Sequence, residues 1–89
     1  MSAHDRARAL DRRGLLVVVV KLAQTHHVLV GDILGDASTQ AVRRARDALC
    51  WHLSERAFSL REVGQLVGLS HTAVMRSIQR HEEIRNASN

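Results

Sequence analysis

A single cysteine, Cys50, stands in a chain of 89 residues, so no internal disulfide can form and a reducing cytoplasm is the simplest setting. The apolar run from Leu15 to Val20 falls far short of the roughly 20 residues a membrane-crossing helix needs, which removes the membrane as an expected partner. No glycine-rich phosphate loop followed by Lys and Ser or Thr occurs, so a nucleotide-driven motor is excluded. No Cys-His, Ser-His-Asp or paired-carboxylate arrangement is suggested, and one small domain has little capacity to form a pocket or a cofactor cage. An enzyme, a cofactor and a small-molecule substrate are therefore not expected. Lysine is nearly absent as well. Lys and Arg number 13 against 9 Asp and Glu, and all but one of these bases are Arg. The resulting formal charge of +4 favours polyanionic partners through long-range attraction while saying nothing about fold.

The stretch from Ser59 to Ile78 organises what is present. Ser59 and Glu62 have the spacing of a capping box, in which the hydroxyl accepts from the third helical N–H and the carboxylate reaches back to the cap. Leu60, Val63, Leu66 and Val67 follow at helical intervals, and Gly68 supplies the permissive backbone of a helix end. Leu69 can plug the corner, Ser70 caps a second helix, and Val74 and Ile78 lie four apart on its inward face. Gly64, with no side chain, lets two helices cross closely. The pattern is a helix-turn-helix. About 100° of rotation per residue from Val74 puts Thr72, Arg76, Gln79 and Arg80 on the far side, with Met75 at the boundary. Such a polar and basic face suits a DNA major groove, where Arg pairs with guanine and Thr or neutral His meets base edges and methyl groups. The capped N-terminus also favours a phosphate.

Upstream, residues 1–13 carry Asp5, Arg6, Arg8, Asp11, Arg12 and Arg13 and read as a basic arm or a solvated helix, the arm being able to follow phosphates or enter a minor groove. Gly14 precedes Leu15-Leu16-Val17-Val18-Val19-Val20. Four valines favour a strand locally, but no second strand is evident to pair with, so residues 15–27 read as a helix. A helix apolar all round must be buried all round. Either it lies at the centre of the monomer or Leu15, Leu16, Val18, Val19 and Leu22 form a homodimer seam. His26 and His27 are adjacent and diverge on a helix, so they read as a helix end and not as metal ligands. Val30 to Leu34 reads as a single docking turn. Ser38 or Thr39 then caps a long helix to about Arg56, with Val42, Ala45, Leu49 and Leu53 inward and Trp51 at the core edge. Arg43, Arg44, Arg46 and Asp47 fall toward the other side. Three Arg in the first turns oppose the helix dipole, and phosphate contact would compensate. Phe58 can staple onto the helix that Ser59 opens.

Val30-Gly31-Asp32-Ile33-Leu34, Val42-Arg43-Arg44-Ala45-Arg46, Ser59-Leu60-Arg61-Glu62-Val63-Gly64 and Gly68-Leu69-Ser70-His71-Thr72-Ala73-Val74 together resemble the C-terminal DNA-binding domain of the bacterial chromosomal replication initiator, DnaA. The resemblance spans roughly residues 15 to 84. Ser59, Leu60, Glu62, Gly64, Gly68, His71, Thr72 and Val74 match that family's motif, whereas Leu69 and Ser70 stand where it has arginine and aspartate, and Ala73 where it has a second threonine. It implies an all-α bundle of four to five helices over residues 14–85, with 86–89 as a frayed tail. It also implies His71 and Thr72 reading bases, Arg44 or Arg46 holding phosphate, and a nucleoid-associated role in transcription or replication initiation without the initiator's ATPase. The full expected DNA-binding set is Arg43, Arg44, Arg46, Ser70, His71, Thr72, Ala73, Arg76, Gln79 and Arg80, with double-stranded DNA as partner. The alternative is a protein-interaction adaptor that binds through its apolar first helix.

Overall fold

The computed structural model describes residues 1–87. Among these the chain forms helices and no strand, in the order α1 Ala3–Arg12, α2 Leu16–His26, α3 Val30–Ile33, α4 Gln40–Glu55, α5 Leu60–Val67 and α6 His71–Ala87. With no proline in the sequence, helix ends are set by caps and by residues of positive φ. Gly14 (φ 71°) turns the chain from α1 into α2, His27 (φ 56°) closes α2, and Ala57 (φ 67°) lies in the bend between α4 and α5.

The long helix α4 is the axis of the bundle. Thr39 Oγ1 accepts from the Val42 N–H at 3.2 Å and starts it. Val42, Ala45, Leu49 and Leu53 are buried as their spacing requires, together with Ala48 and Cys50. Helix α4 packs on α2 along one flank and on α6 and α5 along another. The Cys50 thiol lies in this core, where burial pushes its pKa up to about 12, so it is an inert, protonated side chain at neutral pH.

Residues 1–13 hold a helix, one of the two readings of that stretch, and this helix is docked on the rest of the bundle. Ser2 and Asp5 form a reciprocal capping box, Leu10 is fully buried, and the helix packs against α2, α3 and α5. Arg6 donates to the Leu34 carbonyl and lies against Gly68, where any Cβ would collide with its guanidinium. Arg13 sits over the Phe58 ring at 5.8 Å. Helix α1 thus packs in the same bundle as the helices that follow it.

Helix α2 forms despite its valines because tertiary burial outweighs a local β preference that is worth only about 1 kcal/mol. Of the residues assigned to a dimer seam, Leu15 and Val19 are in the monomer core, while Leu16, Val18 and Leu22 are half-buried against it. The residues of this run left facing outward are Val17 and Val20, 56% and 38% exposed. At the other end, α6 continues through Arg85, Asn86 and Ala87, so the frayed tail does not begin there; positions 88 and 89 of that expected tail lie outside the described residues.

Candidate nucleic-acid interface

Helices α5 and α6 are built as the spacing of their residues requires. Ser59 Oγ accepts from the Glu62 N–H at 3.1 Å, and the Glu62 carboxylate accepts from the Ser59 N–H at 3.0 Å. These bonds hold the Glu62 carboxyl below its ordinary pKa. At the other end Gly68 (φ 81°) occupies the left-handed region, and the Gly68 and Leu69 N–H groups both donate to the Gly64 carbonyl at 2.8 and 2.9 Å. A Cβ at Gly64 would run into the Leu69 carbonyl oxygen and reach Val74. The close crossing thus needs glycine at 64 for space and at 68 for backbone conformation. Ser70 Oγ accepts from the Ala73 N–H at 3.2 Å and caps α6.

Helix α6 turns Val74 and Ser77 fully inward and leaves Ser70, His71, Thr72, Arg76 and Gln79 exposed, with Ala73 half-buried. Thr72, Arg76 and Gln79 share one stripe opposite Val74, at the helical rotation of about 100° per residue. The Arg76 side chain makes no hydrogen bond or ion pair with any described residue. Met75, 43% exposed, borders the stripe. On one side of it a cleft of about 510 Å³ is formed by Arg61 and Gln65 of α5 with the capping Ser70 and His71 of α6. Arg61 and Gln65 were absent from the sequence-derived set. Their signal was available, since positions 61 and 65 lie four apart on the exposed face of α5, opposite Val63 and Val67.

On the other side of the stripe, Arg43 and Arg44 of α4 share a shallow depression with Arg80 and Glu83 of α6. The side chains of Arg43 and Arg44 are exposed and make no hydrogen bond or ion pair with any described residue. They lie beside the C-terminal half of α6 and apart from His71.

Two expected phosphate or base contacts are used inside the protein. Arg46 turns back onto the end of α3 and the segment after it. Its Nε donates to the Ile33 carbonyl at 2.8 Å, and its Nη2 lies within 2.8 to 3.1 Å of the Asp32, Gly35 and Ala37 carbonyls. The conflict between this arginine and the dipole of α4 is therefore resolved by the carbonyls of a neighbouring turn, without a phosphate. Burial lowers the Arg46 pKa.

Arg80 is engaged by Asp47, which was expected on the solvated side and is instead only 3% exposed. Asp47 accepts from Arg80 Nε and Nη2 at 3.0 Å each and from Ser77 Oγ at 2.6 Å. This forked pairing raises the Arg80 pKa, and it fixes the roll of α6 against α4, because two side chains one turn apart on α6 grip a single carboxylate. Next to it Trp51 is covered by Arg85, 4.1 Å from its ring, and flanked by His52 and His81. Burial lowers the pKa of both histidines, with further contributions from Arg56 at His52 and from His52 at His81.

Among the described residues no group of three His, Cys, Asp or Glu side chains is placed to hold a metal ion, and no helix is long and apolar enough to cross a membrane. Comparison with protein-family models, with curated proteins and with solved structures finds no match to this chain.

Proposed function

We propose that the chain is a sequence-specific double-stranded DNA-binding protein that places the N-terminal half of α6 in the major groove, and that it regulates transcription or replication initiation. The observation that carries this reading is the outward stripe of Thr72, Arg76 and Gln79. Its donors and acceptors are presented to solvent from a rigidly capped helix, and Arg76 has no partner in the described chain. Arg76 can make paired hydrogen bonds to guanine, Gln79 can do so to adenine, and Thr72 can meet a base edge or a thymine methyl. His71 and Ser70 at the helix start lie where a groove edge or phosphate would approach. Arg43 and Arg44 on one flank and Arg61 on the other would add positive charge for the phosphates bordering the groove. The resemblance of residues 15–84 to the DNA-binding domain of DnaA supports the same reading. On it the chain needs no cofactor and performs no catalysis.

Selection of binding sites from a random oligonucleotide pool, followed by titration at two salt concentrations, tests it. A specific complex should lose affinity as salt rises, with a log–log slope of about −0.9 per phosphate neutralised. Arg76→Ala should lose about 1–3 kcal/mol on the selected site and flatten the sequence preference, while Arg44→Ala weakens all sequences alike. Recovery of no consensus, together with sequence-blind losses from both variants, would defeat the proposal.

A further inference from the structure

A second surface lies on another flank of α4. Helix α2 meets the C-terminal half of α4 in a groove of about 430 Å³, whose apolar floor is Val17, Val18 and Leu22 and whose polar rim is Lys21, Thr25, His52 and Arg56. Val17 is 56% exposed and the adjoining Val20 38%, an unusual placement for valines in a chain whose other α2 apolar residues are covered. Arg56 is held along the rim by a 3.0 Å hydrogen bond from its Nη1 to the His52 carbonyl. Every titratable group lining the groove is a base. We infer that this groove is a docking site for an acidic amphipathic helix of a protein partner, separate from the α6 stripe.

The choice of occupant follows from charge and shape. A two-fold contact between copies would bring the patch against itself, setting the bases Lys21, His52 and Arg56 of one copy against those of the other. Nucleic acid satisfies the bases but has no use for an apolar floor of three aliphatic side chains. A helix with leucines at i, i+3, i+4 and i+7 and carboxylates on its margins answers both features, by the helix-in-groove mode of recognition. Because α2 packs on α1, α3 and α4 whereas α6 packs on α4 and α5, occupation of the groove leaves the recognition stripe uncovered.

The test uses the intact chain and a synthetic helical peptide of about 15 residues carrying that leucine pattern with Glu elsewhere. One control replaces every Glu by Lys, and a second scrambles the leucine positions. Amide NMR should show the acidic peptide shifting residues 17–25 and 52–56, saturably and more weakly at higher salt, while both controls fail. Lys21→Glu with Arg56→Glu should weaken the peptide at least about tenfold, and Val17→Ser with Val20→Ser should weaken it without changing DNA affinity or thermal stability. A DNA duplex bound to α6 should leave peptide binding in place. The inference is overturned by any of four results: no shift at millimolar peptide, equal binding of the lysine peptide, displacement of the peptide by DNA, or concentration-dependent self-association that shifts the same residues. Since peptide binding is first titrated without DNA, its failure is distinct from failure of the DNA-binding proposal on which only the duplex arm rests.

Discussion

Arg46 and Arg76 illustrate two regions with opposite uses for the same residue type. At the α3–α4 corner, arginine is an internal donor whose N–H groups gather four backbone carbonyls of α3 and the segment after it. On the α6 stripe, Arg76 is exposed and makes no hydrogen bond or ion pair with any described residue. A formal charge of +4 counts both alike. The basic balance of a small protein is thus a poor measure of how much of it can meet a polyanion, and the local supply of backbone acceptors decides the matter.

The largest effect that should sharpen this contrast is on stability. Arg46→Ala leaves the corner carbonyls without their donor and should cost about 2–4 kcal/mol in urea unfolding. On the DNA-binding proposal, the folded fraction should bind DNA as the unmodified chain does. A loss of DNA affinity at unchanged stability would erase the distinction and return Arg46 to the binding face.

Arg80→Ala is next. It leaves the Asp47 carboxylate with Ser77 alone, and because Arg80 is itself 47% exposed the expected loss is about 1–3 kcal/mol, below that of a fully buried pair. The double variant Asp47→Asn with Arg80→Ala should recover part of that loss, which a thermodynamic cycle would detect.

Arg76→Ala should change unfolding free energy by no more than about 0.5 kcal/mol, its effect appearing only with DNA present. Ser59→Ala removes a cap acceptor and should destabilise by about 1 kcal/mol, loosening α5 and testing whether the stripe depends on its neighbour's rigidity.

The smallest effect is a pH dependence. His52 and His81 have folded-state pKa values below the ordinary 6.5, so the unfolded chain binds their protons more readily. Their contribution to stability is complete above pH 6.5 and is lost as pH falls from there through the folded values. The thermal midpoint should therefore drop between pH 7 and pH 5, and His52→Gln with His81→Gln should flatten that slope.

Local signals carried some elements fully. The Ser59–Glu62 box, the Gly64 crossing, the Gly68 turn and the period of Val42, Ala45, Leu49 and Leu53 each involve residues within one or two turns, so spacing alone located them. The docking of α1 was missed although Ser2 and Asp5 carry the same box spacing, because the charges of residues 1–13 obscured a single buried Leu10. The roles of Arg46, Asp47 and Arg80 were illegible for a different reason. Their partners lie from 9 to 33 positions away, and no local period encodes which carbonyl or carboxylate a long side chain will find. Likewise the apolar run of α2 announced burial, but which valines remain outside depends on how α2 rolls against α4.

Cys50 turns the bundle into its own gauge. A thiol enclosed between α4 and its neighbours cannot meet a disulfide reagent until those helices part, so the rate at which the intact chain is labelled counts openings of the interior directly. No reporter has to be engineered to compare how often a ligand on α6, or one in the α2 groove, lets the helices come apart.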